Sequence, residues 1–126
     1  MYSIELPGKE REITMDVKKM LDNLKVAAIA SDPDFNITYI NKRGEELFKA
    51  IMNADNLVGS NMRVCHKPET NEKLEKLFQE YRNCKRSLDY YVMDIPGGKA
   101  TIVNVPFYDG DEFAGVVEFI FESALG

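Results

Sequence analysis

Two turn signals near the carboxyl end, Pro96-Gly97-Gly98 and Asp109-Gly110, constrain this chain more than any other feature in it. They separate three runs rich in β-branched and aromatic residues, roughly 88–95, 100–107 and 112–121. Glycine accepts the positive-φ corners that turn a strand back on its neighbour, so three antiparallel strands joined by hairpins are predicted. In the last run Phe113, Gly115, Val117, Phe119 and Phe121 fall on one side, and Ala114, Val116, Glu118 and Ile120 on the other. Side chains alternate along a strand, and both sides here are largely apolar, so both should be covered. The core packs against one. An N-terminal helix or a second chain covers the other.

The first half supplies the helix. Over 10–24, Ile13, Val17, Met20, Leu21 and Leu24 recur at helical spacing and form one apolar stripe, with Lys18, Lys19 and Asp22 opposite. Val26 to Ala30 is short and apolar and runs into Asp32-Pro33-Asp34, which predicts a buried strand ending in a turn. Residues 36–40, Asn-Ile-Thr-Tyr-Ile, predict a second strand paired with it. Asn41 is a good N-cap for a helix carrying Leu47, Phe48 and Ile51. Residues 53–63 predict irregular helical turns. Pro68 opens a clearer helix to about Tyr81, with Leu74, Leu77, Phe78 and Tyr81 on one face. Two strands, a helical middle and three hairpin-linked strands give an α+β domain: a five-stranded antiparallel sheet with helices on one face, preceded by an amphipathic N-terminal helix. The expected organisation is a helical cap over 1–24, the α+β domain over 25–122 and a tail over 123–126.

The chain's 126 residues and 44% hydrophobic content allow one modest core. A net charge of −5 argues against binding a phosphate backbone directly. No run approaches the about 20 apolar residues that span a bilayer, and the first residues lack a basic segment followed by an apolar one. Two cysteines without an export signal are expected as free thiols, and the expected location is cytoplasmic.

The residues resemble those of PAS domains. Ile37-Thr38-Tyr39-Ile40-Asn41-Lys42-Arg43-Gly44-Glu45-Glu46-Leu47-Phe48 is similar to that family's second strand running into its first core helix, with Gly44 near the place of a small residue. Val58-Gly59-Ser60 resembles its turn of apolar residue, variable residue and glycine. Tyr108-Asp109-Gly110-Asp111-Glu112-Phe113-Ala114-Gly115-Val116-Val117 resembles its closing hairpin. The likeness spans about 24–121. It departs at the end, where many members exit through an Asp-Ile-Thr segment and this chain reads Phe119-Ile120-Phe121-Glu122. That departure fits a domain that stops here, one that works in trans, or a piece of a longer protein. The resemblance implies sensing through haem, flavin, a small metabolite or protein contacts alone, signalling to an unnamed downstream partner, and no catalysis.

Gly59-Ser60-Asn61-Met62-Arg63-Val64 resembles a flavin photosensor phrase in which Met62 replaces the adduct-forming cysteine, and a thioether cannot supply the thiol chemistry. His66, the sole histidine, precedes the Pro68 helix and is the candidate iron ligand of a b-type haem, read against a loop histidine that packs locally. In the oxygen-sensing haem members the histidine lies within this helix, near Glu72-Lys73 here. Others resemble this chain more closely, with a histidine early in the helix and a methionine on a later strand. Met93 fits that second place and Cys65 is the other candidate, both read against ordinary packing. Cys65 beside His66 lacks a third group to orient a nucleophile and base. Asn104, among Ile102, Val103 and Val105, either faces out or is an inward amide that a ligand can satisfy. One of Tyr90 and Tyr91 faces the core, and Tyr91 is the candidate ligand contact. The alternative to a cofactor-bearing sensor is a cofactor-free module that only mediates dimerisation or partner binding. In either case a homodimer formed through the N-terminal helix is expected.

Overall fold

The computed structural model describes residues 16–64 and 67–123. Helix α1 (Val17–Asp22) leads into strands β1 (Ala27–Ser31) and β2 (Ile37–Ile40). Helix α2 (Lys42–Met52), a 3-10 turn (Met62–Val64) and helix α3 (Pro68–Arg82) follow, and strands β3 (Asp89–Ile95), β4 (Gly98–Asp109) and β5 (Glu112–Phe121) close the chain. The five strands form one antiparallel sheet in the order β2-β1-β5-β4-β3. The predicted α+β architecture is therefore the observed one.

Helices α2 and α3 pack on one face of the sheet, the inner face. Ala27, Ile29, Ile37, Ile40, Ala100, Ile102 and Ile120 meet Leu47 of α2 in one buried cluster. Phe35, Phe78, Tyr81, Phe113 and Val116 form a second, aromatic cluster under α3. Phe35 stacks on Phe78 at 4.3 Å between centroids, and Phe113 meets Phe78 edge-on at 5.6 Å. Met62 packs against both clusters, an apolar role for the side chain that replaces the photosensor cysteine.

Asn41 ties the front of the domain together. Its side-chain oxygen accepts from the Gly44 N–H, capping α2, and from the Ala28 N–H, while its amide donates to the Leu21 and Val26 carbonyls. The cap was expected. The three long-range bonds were not, because one side chain reaching a strand and a helix end is a tertiary event.

Two expectations are corrected. Phe113 does not share a face with Val117 and Phe119. The pairing shifts between Phe107 and Tyr108, so β5 carries one extra residue there and Phe113 turns inward to the aromatic cluster. The described N-terminal helix ends at Asp22 rather than at Leu24, and its stripe is not buried: Val17 is 70% exposed and Met20 49%. It is held by polar contacts instead. The Tyr39 hydroxyl donates to Asp22 at 2.6 Å, and Asn41 reaches Leu21. Residues 10–15 of the predicted helix, Ile13 included, lie outside the described residues.

Candidate functional site: an inner-face cleft

Partner residues on paired antiparallel strands point to the same side of the sheet. One row across the inner face therefore reads Ile29, Glu118, Asn104 and Asp89, on β1, β5, β4 and β3. The next reads Ala27, Ile120, Ile102 and Tyr91, and Met93 stands opposite Ala100 beyond it. From above, the Tyr81 hydroxyl of α3 donates to the Asn104 carbonyl at 3.2 Å, and Tyr108 donates to the Tyr81 carbonyl at 2.7 Å. Helix α3 thus closes over the β5 side of the face. Strand β3 stays uncovered, with Tyr91 and Met93 both exposed, so the inner face is open to solvent at that edge, a shallow open-sided cleft.

Two polar side chains on this face have no hydrogen-bond partner among the described residues. Asn104 is 9% exposed, and among the described residues its side-chain amide makes no hydrogen bond. Glu118 likewise has no hydrogen bond or ion pair there. Burial alone pushes its carboxyl up to about 7, because a charge among Ile29, Ile102 and Ile120 is poorly solvated. The Tyr91 phenol is pushed up to about 12, first by burial, then by Glu118 and Asp89. Asp89 itself is paired with Arg86 at 3.2 Å, and Arg86 also holds Glu80.

The predicted site residues separate accordingly. Asn104 takes the inward of its two readings, and Tyr91 is the inward member of its pair, with Tyr90 on the outer face and 65% exposed. Met93 lies on the inner side of β3. Cys65 and His66 lie outside the described residues. Among the described residues, no group of three or more His, Cys, Asp or Glu is arranged to hold a metal ion. Glu118 was missed as a site residue. Its signal was legible: it is the one charged position among Ala114, Val116 and Ile120 on that side of the strand.

The outer face is an apolar band of Ala28, Phe119, Val103 and Tyr90 in one row and Ala30, Val117 and Val105 in the next. Among the described residues, no helix is long and apolar enough to cross a membrane.

Residues 17–122 match the PAS domain family. No curated protein matches the chain in sequence. Among solved structures, the C-terminal domain of a protein from Streptococcus mutans is 22% identical, covers 86% of this chain and 85% of its own, and superposes with a TM-score of 0.68. A sensory box sensor histidine kinase from Vibrio cholerae is 15% identical over 87% of this chain and 90% of its own, with a TM-score of 0.58. The Aer2 receptor from Vibrio cholerae, described as a dual PAS-heme oxygen sensor, is 16% identical over 77% of this chain and 93% of its own, with a TM-score of 0.55. At these identities the structural likeness carries the fold alone, and it agrees with the sequence match over most of the chain. The chain belongs to the PAS domain family.

Proposed function

We propose that this PAS domain is a sensory module of signal transduction, without catalysis of its own, that reads the occupancy of the inner-face cleft. The observation that carries this reading is the pair Asn104 and Glu118, without a partner among the described residues and set in an otherwise apolar surface. Polar groups set among apolar side chains and without a partner in the protein are suited to a ligand that supplies one. Occupancy becomes a signal if the ligand binds two arrangements of the sheet with different affinity. The outer face is one strand thickness away, and its half-buried apolar band with the exposed Tyr90, together with Val17 and Met20 of α1, suits a second copy of this chain in a two-fold dimer. A downstream signalling partner then reads that dimer.

Spectroscopy and native mass spectrometry of protein prepared with haem, flavin and cell metabolites available test this. A bound small molecule whose removal alters amide exchange on the outer face is the expected result. Protein that never carries a ligand, and whose outer face is unchanged when the cleft is filled, sinks the reading and leaves the cofactor-free dimerisation module.

A second reading, b-type haem, is favoured by Met93, a soft axial donor on the inner side of β3 opposite the small Ala100. His66 would be the other ligand. Met93, Tyr91 and the apolar row of Ile102 and Ile120 would hold the ring, and the iron would supply gas or redox chemistry. Haem titration of the wild type, His66→Ala and Met93→Leu tests it. A sharp Soret band that both substitutions alter is expected; no such band, or one identical in all three proteins, ends it.

A further inference from the structure

Glu118 and Asn104 are direct cross-strand partners on β5 and β4. Side chains so placed start about 5 Å apart at their Cβ atoms, close enough to share one ligand group. Yet the two side chains do not bond each other, and neither side chain bonds anything else among the described residues. A carboxyl and a carboxamide side by side, neither with a partner in the described protein, can be bridged by a third group that donates to both.

We propose that the cleft takes a small organic cation, a protonated amine or amidine on an apolar body, with its N–H groups held between the Glu118 carboxylate and the Asn104 side-chain oxygen. The inference rests on the ligand-occupied cleft proposed above and names the chemistry of its occupant. Four observations support it. Every titratable group facing the pair is acidic or neutral: Asp89 and Tyr91 from β3 and Tyr81 from α3. The β1 strand contributes Ile29, which is apolar. Arg86, in the loop before β3, is committed to Glu80 and Asp89 and offers nothing to an anion. The surrounding Ile29, Ile102 and Ile120 match an apolar body. In such surroundings an ionised carboxylate is costly without a counter-charge, so Glu118 holds either a proton or a cation.

The test uses three probes of one shape on the full chain: benzamidinium, benzyl alcohol and benzoate. Amide shifts of Ile29, Tyr91, Asn104 and Glu118 report cleft binding. Benzamidinium is expected to bind at least about tenfold more tightly than benzyl alcohol, the smallest gain of a charge-assisted hydrogen bond. Benzoate is expected not to bind. The preference should grow from about pH 6 to about pH 8, because only ionised Glu118 attracts the cation. Glu118→Gln should abolish both the preference and its pH dependence, and Asn104→Leu should weaken benzamidinium more than benzyl alcohol; dispersed amide spectra show that each variant is folded. Equal binding of benzamidinium and benzyl alcohol, or a preference untouched by Glu118→Gln, overturns the cationic class while the cleft itself survives. No shift at those four amides with any probe overturns both the class and the cleft.

Discussion

Arg43, on the first turn of α2, grips Glu122, the residue that follows β5. Its Nε donates to one carboxylate oxygen at 2.7 Å and its Nη2 to the other, and both side chains are about one-third exposed. The contact holds the Arg43 guanidinium well above its usual range and the Glu122 carboxyl below its own, with the hydrogen bonds as the leading cause in each. The helix that roofs one core cluster is thus tied to the point where the sheet releases the chain. A fork-to-fork pair at this exposure is expected to contribute about 0.5–1 kcal/mol. A double-mutant cycle of Arg43→Ala and Glu122→Ala in urea should return a coupling of that size, reduced by high salt. Strict additivity would show that the pair contributes nothing.

Gly115 stands where no other residue fits. Its φ is +154°, and a Cβ there would lie 2.2 Å from the Ser31 carbonyl oxygen and 2.6 Å from the Phe107 ring. The exposed Phe107 ring can swing aside, but the β1 backbone cannot yield cheaply. Gly115→Ala should therefore cost about 3 kcal/mol or more. Gly59→Ala is the control: φ is +92° but the space is open, so only the backbone penalty of about 1 kcal/mol applies. Equal losses in the two variants would show that crowding at Gly115 is relieved by a local shift.

Removing the Asn41 side chain strands two N–H groups and two carbonyls at once, in a residue that is fully buried. Asn41→Ala should cost about 2–4 kcal/mol, more than an isolated cap. Amide exchange should also rise through α1, which depends on Asn41 and on Asp22–Tyr39 for its attachment. Unchanged protection in α1 would refute that anchoring.

The α3 helix shows what periodicity reveals and what it leaves out. Its apolar face was readable, and Phe78 and Tyr81 are buried on it, but Leu74 and Leu77 are only half-buried. Spacing gives a direction from the helix axis. It does not give the tilt that lets the far end press on Phe35 and Phe113 while β3 stays open. Phe78→Ala is accordingly expected to cost about 3–5 kcal/mol and Leu77→Ala about half that, which equilibrium unfolding of the two variants measures. The hairpins at Gly97-Gly98 and Gly110 were legible because turn chemistry is local. The bulge that turns Phe113 inward was not, since it depends on Gly115 being pressed against Ser31 on a strand far away in sequence. At the cleft, Asn104 and Tyr91 could be read as inward only once the strand register was known. Glu118 needed no register, only attention to one charge on an apolar side.

Glu118 should also leave its mark on stability with no ligand present. Its carboxyl sits at about 7 in the folded protein because of burial, against an ordinary value of 4.5. Below about pH 4.5 it is protonated whether the chain is folded or not, and contributes no difference. Between 4.5 and about 7 the folded state holds a proton that the unfolded chain has lost, so stability falls as pH rises. Above about 7 the folded state carries the desolvated charge in full and the loss levels off. A displacement of this kind corresponds to a loss on the order of 3 kcal/mol across that window. Glu118→Gln keeps the shape and cannot ionise, so its stability should vary less over the same range and exceed that of the wild type at about pH 8. Urea unfolding of both proteins at about pH 5 and about pH 8 decides it. Parallel pH dependences would mean that the carboxylate is solvated in the open cleft, and a solvated Glu118 would have no need of the cation that the cleft is proposed to bind.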